Sequence, residues 1–200
     1  RNRRRNTPES ESAWLLLWKI VVVPKSMTKS KDNMKAYRIK EVKNFMGRLL
    51  GTDAFDAFLL AEASITTYNT FLIDGHMEKA FFTGDVNDDA ALPSYEFSEW
   101  KTIRSLCFDL IKGKRTPVGF KFVLHLKPEF TERILAEGNA DVTLSDIKAF
   151  VLNIKYDGSM LTCITATAFH TFLPDKTPDR LWDDFITHFL TEKEISFEEA

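Results

Sequence analysis

From Lys35 onward, short stretches of period-two alternation and longer runs of helical spacing follow one another in a fixed order. Ala36-Tyr37-Arg38-Ile39-Lys40 alternates as a strand does, and Val42, Phe45, Met46, Leu49 and Leu50 then recur at helical spacing up to Gly51. Phe58 to Ile73 is rich in Ile, Thr, Phe and Tyr without an internal Gly or Pro, which predicts a long or bent strand. Asp74-Gly75 predicts a tight hairpin, with Met77 to Thr83 as the return strand. An acidic loop from Gly84 to Pro93 leads into a helix over Ser98 to Lys112. Trp100, Ile103, Leu106, Cys107, Leu110 and Ile111 make its apolar face, and Gly113 stops it.

After Thr116-Pro117 the order begins again. Val118 to Leu126 alternates, with Phe120, Phe122 and Leu124 on one side and Lys121, Val123 and His125 on the other. Pro128 suits the first turn of a helix whose inner face is Phe130, Ile134 and Leu135, ended by Gly138. A polar stretch, Asn139 to Asp146, precedes a strand over Ala149 to Tyr156, an Asp157-Gly158 turn and a return strand over Leu161 to Phe172. Pro178 and Asp179 open a last helix carrying Trp182, Phe185, Ile186, Phe189 and Leu190 on one side.

The order β-α-β-β-α is thus written twice. The final helices share a spacing, as Trp100, Ile103, Cys107, Phe108 and as Trp182, Phe185, Phe189, Leu190. The expected fold is α+β: a duplicated β-α-β-β-α unit, repeat one at 34–113 and repeat two at 117–191, in one mainly antiparallel sheet with helices on one face and a pseudo-twofold axis. Residues 192–200 are expected to be an acidic C-terminal tail.

Residues 1–33 differ in character. Arg1-Asn2-Arg3-Arg4-Arg5 and a polar stretch precede an apolar run from Ala13 to Val23 that Lys19 interrupts, and Pro24-Lys25-Ser26 is not a small-x-small cleavage site. Eleven residues are too few to cross a bilayer, which takes about 20. The segment is expected to be an appendage outside the fold, with Met27 or Met34 as the true start.

Composition narrows the function classes. Of 200 residues, 44% are hydrophobic and 28% charged, and the net charge of −2 is that of an ordinary globular protein. The first 33 residues carry eight basic and three acidic side chains, a net +5, which leaves −7 on the remainder. An acidic body disfavours sequence-independent binding to nucleic acid. Two cysteines, Cys107 and Cys163, form neither a disulfide framework nor a four-thiolate zinc site, so a reducing compartment is expected.

The search for chemistry singles out little. His76, His125, His170 and His188 are scattered, with no His-x-x-x-His or Cys-x-x-Cys spacing, so no metal ligand set is expected. No nucleophile elbow, phosphate loop or dinucleotide fingerprint occurs, so no catalytic residue and no cofactor is assigned. Glu62, Asp74, Glu78 and Asp109 show no spacing that marks an acid/base pair. Asp85 to Glu96 places oxygen side chains at positions 1, 3, 5 and 12 like an EF-hand calcium loop, but Ala90 stands where glycine makes the turn and a strand precedes it. A solvated acidic loop is the expectation. Lys112, Lys114 and Arg115 are the densest basic cluster of the body and, with Lys121, the candidate anion patch. Their cations also suit a helix C-terminus.

The segments KAYRIKEVKNFMGRLL (Lys35 to Leu50), FLLAEASITTYNTFLIDGHMEKAFF (Phe58 to Phe82) and LCFDLIKGKRTPVGFKFVLHL (Leu106 to Leu126) resemble an uncharacterised family of small proteins from anaerobic Gram-positive bacteria, a domain of unknown function. The resemblance covers about residues 34 to 191. It implies a cytoplasmic bacterial protein starting near Met34 and no activity. The order of elements also resembles the half-domains of sliding clamps and the TATA-binding protein, with no shared motif.

The leading expectation is a non-enzymatic binding or interaction domain, with a protein partner or a homo-oligomer. An enzyme whose site is assembled in three dimensions and a clamp-like nucleic-acid-associated protein are the alternatives. The clamp-like reading requires a continuous positive stripe that includes Lys114 and Arg115.

Overall fold

Nearly every period-two stretch becomes a strand of one sheet, and every helical run becomes a helix. The computed structural model describes residues 34–82, 93–171 and 174–200. Among them the elements are β1 (Ala36–Ile39), α1 (Val42–Gly51), β2 (Phe58–Thr66), β3 (Thr70–Asp74), a 3-10 turn (Lys79–Phe82), β4 (Ser98–Glu99), α2 (Trp100–Ile111), β5 (Gly119–Leu126), α3 (Pro128–Glu137), β6 (Ile147–Tyr156), β7 (Leu161–Phe169), α4 (Thr177–Glu192) and β8 (Phe197–Glu199). The fold is α+β. The sheet runs β3-β2-β5-β6-β7-β1-β8, with β4 pairing the start of β2, and every pairing is antiparallel.

Alternation sorts the side chains into two faces. One face carries the row Ala63, Phe122, Ile154, Cys163, Tyr37 and the row Ile65, Phe120, Tyr156, Leu161, Ile39, all buried. Trp100 of α2 meets Phe122 edge-on at 5.4 Å, and Trp182 of α4 stacks on Phe150 at 5.1 Å. Each indole N–H finds a carbonyl at 2.9 Å, Leu49 O for Trp100 and Val151 O for Trp182, so these rings are buried without an orphaned donor. Burial of one such ring stabilises by roughly 5 kcal/mol before the entropy of ordering is counted. Asp183 of α4 accepts from the Thr165 hydroxyl of β7, and its carbonyl accepts from Tyr37 Oη at 2.9 Å, tying β1, β7 and α4 together in the interior. Burial pushes both the Asp183 carboxyl and the Tyr37 phenol above their ordinary ranges.

Four expectations change. The first hairpin turns at Thr67 to Asn69, where Thr67 N–H donates to Asn69 O at 2.9 Å, and not at Asp74-Gly75. Gly75 is needed for a close approach: a Cβ there would stand 1.8 Å from Leu60 O, and Asp74 caps the His76 N–H instead of making a turn. Met77 to Thr83 is accordingly no return strand; its described part is the 3-10 turn. The expected acidic tail supplies strand β8, because Phe197 packs edge-on against Tyr37 at 5.3 Å and Glu198 and Glu199 meet Arg38, Lys40 and Lys35. The β-α-β-β-α order does recur, but its pairing does not: β5 pairs with β6 of its own half, whereas β1 pairs with β7 and not with β2. The pseudo-twofold axis expected of a duplicated unit is absent from this strand order. The second Asp-Gly turn holds, with Gly158 at φ 95° in the left-handed region that glycine tolerates. Residues 1–33 lie outside the described residues, as do 83–92 of the acidic loop.

Candidate functional site

The face of the sheet opposite α2 and α4 is built from the other parity of the same strands. Three rows cross it. The first is Leu72, Ser64, Lys121, Lys155, Thr162, Arg38 and Glu198; the second is Asp74, Glu62, Val123, Asn153, Ile164 and Ala36; the third is Glu99, Leu59, His125, Val151 and Ala166. The central positions Ser64, Val123, Asn153, Ile164 and Ala166 are small or branched, and they stay half-buried at the middle of a wide sheet. None of these five side chains is charged, so the middle of the face is an uncharged patch. The charges around it are largely matched: Lys121 Nζ lies 3.1 Å from Glu62 Oε1 and Arg38 3.3 Å from Glu198. Lys155 has no ion pair among the described residues.

One end of the platform is chemically richer. Alternation continues along Tyr95, Phe97 and Glu99, which turns all three toward the third row, beside His125 and Lys127. Phe97 meets His125 edge-on at 5.0 Å and His76 at 5.8 Å. Lys127, 8% exposed, donates to Glu99 Oε2 at 2.6 Å and stands 5.5 Å over the Tyr95 ring, while Lys101 reaches the same Glu99 oxygen at 2.9 Å. Tyr95 Oη donates to Glu129 at 2.6 Å. A shallow cleft of about 450 Å³ opens beside these residues, lined by His76, Met77, Glu78, Lys79 and Glu96.

The protonation states follow from these neighbours. Burial, with Lys148 nearby, holds the His125 imidazole below its ordinary value against the pull of Glu96, so it is neutral at pH 7. Burial works to raise the Glu99 carboxyl, but hydrogen bonds from Lys127 and Lys101 outweigh it and leave it below the usual carboxylate range. Tyr95 is pushed up by burial and by the Glu129 carboxylate it donates to. Near neutral pH the cluster therefore combines a neutral imidazole, an anionic Glu99 and a protonated phenol.

The basic residues singled out in the sequence run from the end of α2 through the loop after it to β5. Lys112 pairs with Asp109 at 2.7 Å and lies over the Phe108 ring, whereas Lys121 faces Glu62 on the sheet; Lys114 and Arg115 sit exposed in the loop before β5. His188 bonds the Asp184 carbonyl on α4, His170 follows the end of β7, and His76 lies 3.8 Å from Glu96. Asp85 to Leu92 of the calcium-like loop fall outside the described residues. Cys107 and Cys163 are free and buried, the Cys107 thiol pushed up to about 12 by burial and the Cys163 thiol raised further. Among the described residues no helix is long and apolar enough to cross a membrane. Tyr95, Phe97, Glu99 and Lys127 were not legible as a group. Their signal is the alternation after Pro93, which the start of the α2 pattern cuts short.

A model described as a family of unknown function, DUF5721, matches residues 48–198. No curated protein and no solved structure matches the chain.

Proposed function

From the premise that the chain belongs to the DUF5721 family of unknown function, we propose a binding domain that docks a protein partner on the open face of its sheet, with the Tyr95, Phe97, His125 and Lys127 end as the polar anchor. The observation that carries this is the platform itself: Val123, Asn153, Ile164 and Ala166 leave the middle of the sheet uncharged and half-buried, while two of the cations around it, Lys121 and Arg38, are paired within the chain. Protein interfaces combine a charge-depleted centre with a polar rim and are enriched in aromatic residues. A nucleic-acid surface needs unmatched cations along its length, and two of the cations on this face are already paired. The buried thiols support a reducing, cytoplasmic location, and the bacterial origin rests on the resemblance of the segments quoted above.

The test is co-purification from the native host with the full chain and with Ile164→Arg. An arginine at the centre of a docked platform should weaken the partner by more than about thirtyfold. A partner set unchanged by Ile164→Arg overturns the proposal. A second reading, an enzyme using His125 as a base, is favoured by its neutral imidazole, which makes no hydrogen bond among the described residues. Loss of function in His125→Gln together with full partner binding would select it.

A further inference from the structure

The two edges of the sheet are not alike. β8 carries Glu198 and Glu199 and is laced to β1 by ion pairs, the usual protection of an edge. β3, Thr70-Phe71-Leu72-Ile73-Asp74, has no lysine or proline, and among the described residues its outer side pairs with nothing. Leu72 is 77% exposed and Tyr68, in the turn before it, 84%. Beneath this edge lies α2, which packs on β2. Arg104 bonds Thr52 O and Asp56, so that flank of α2 faces the segment after α1. At 3.6 residues per turn the opposite flank is Ile103, Leu106 and Leu110. Leu106 is 47% exposed although it belongs to the apolar pattern of the helix.

We propose that this edge is the dimer interface of the protein: β3 pairs antiparallel with β3 of a second copy about a twofold axis through Leu72, and the two α2 flanks close beneath it. The strand is self-complementary in that register. Leu72 stands opposite its own copy, Phe71 opposite Ile73 and Thr70 opposite Asp74, so no like charges meet and both apolar pairs are matched. Pairing β3 with β8 of another copy would instead build an open filament, and Glu198 and Glu199 guard against it. The strand is about 17 Å long and the helix about 18 Å. With Tyr68 they offer on the order of 500 Å² per copy, below the roughly 800 Å² of a standard interface, so the dimer exchanges with monomer.

Leu72→Cys in the full chain tests the register directly. Residues opposite each other across an antiparallel pair have Cα atoms about 4.5 to 5.5 Å apart, within disulfide reach, and the native cysteines are both buried. Under mild oxidation Leu72→Cys should give a disulfide-linked dimer at least about tenfold faster than Lys155→Cys on the open face. In sedimentation velocity from about 1 to 200 µM the wild type should shift from monomer to dimer, and Leu72→Lys should raise the dissociation constant at least about tenfold. A monomer at all concentrations, equal cross-linking in the two cysteine variants, or a dimer untouched by Leu72→Lys would each overturn it. So would a monomer whose introduced thiol resists labelling, since another segment of the chain would then cover the edge.

Discussion

Removing either partner of the Lys127 to Glu99 ion pair should have very unequal consequences. The Lys127 side chain is 10% exposed and that of Glu99 26%, and they meet at 2.6 Å. In Glu99→Ala the ammonium stays buried, with the face of Tyr95 at 5.5 Å as its nearest replacement and the Asp56 carboxylate, itself paired with Arg104, farther off. Stranding a buried charge costs about 3 to 5 kcal/mol. The Tyr95 contact returns about 1 kcal/mol, which leaves roughly 2 to 4 kcal/mol, or about 4 to 16 °C in melting temperature for a domain of this size. Glu99 is the N-cap residue of α2 but makes no side-chain capping bond, so loss of a cap adds nothing to that figure. In Lys127→Met the stem still packs, and Glu99 keeps Lys101 at 2.9 Å and its share of solvent. That variant should lose about 1 kcal/mol or less, and the double variant should resemble it instead of adding the two losses. Urea unfolding followed by the fluorescence of buried Trp100 and Trp182 measures all three. If Glu99→Ala costs no more than Lys127→Met, Lys127 finds water and the anchor of the site is not the dry pair described.

Three other outcomes are expected. Gly75→Ala should destabilise by several kcal/mol, because its Cβ would sit 1.8 Å from a backbone oxygen, whereas Gly47→Ala, inside α1 with nothing within 4 Å, should stabilise by about 0.5 to 1 kcal/mol; thermal unfolding of both checks it. His125 has its folded value held below the ordinary one near 6.5, so its contribution is complete above about pH 6.5 and is lost as the pH falls through the lower folded value. Stability measured from pH 7.5 down to 5 should therefore fall less steeply in His125→Gln, and parallel curves would contradict the burial of that imidazole. A chain beginning at Met34 should melt within about 4 °C of the full chain, and a larger loss, read by calorimetry, would place residues 1–33 in the fold.

The sheet and its helices were legible because burial imposes a period. Phe120, Phe122 and Leu124 alternate with Lys121, Val123 and His125 since one side of β5 meets Trp100 and the other does not. The hairpin at Thr67 to Asn69 was not, because those residues carry no glycine, while Asp74-Gly75 imitates a turn for a reason visible only in the approach of Leu60 O. The strand order escaped as well: local pattern says nothing about whether β1 lies beside β2 or beside β7. Leu106 fits the apolar pattern of α2 yet stands half-exposed, because Arg104 holds the neighbours of the helix on one flank and Leu106 lies on the other. The candidate site lay beyond the sequence for a further reason. Tyr95, Glu99, His125 and Lys127 come from two separate segments, and their meeting depends on β4 pairing with two residues of β2.

Photocross-linking in the native host reads out whether the open face of the sheet meets a protein partner. A benzophenone side chain is placed in turn at Val123, at Asn153 and at Glu132 on the exposed surface of α3. One protein should be cross-linked from both Val123 and Asn153 and be absent from Glu132. Cross-links from Glu132 alone, or from all three positions equally, would contradict it.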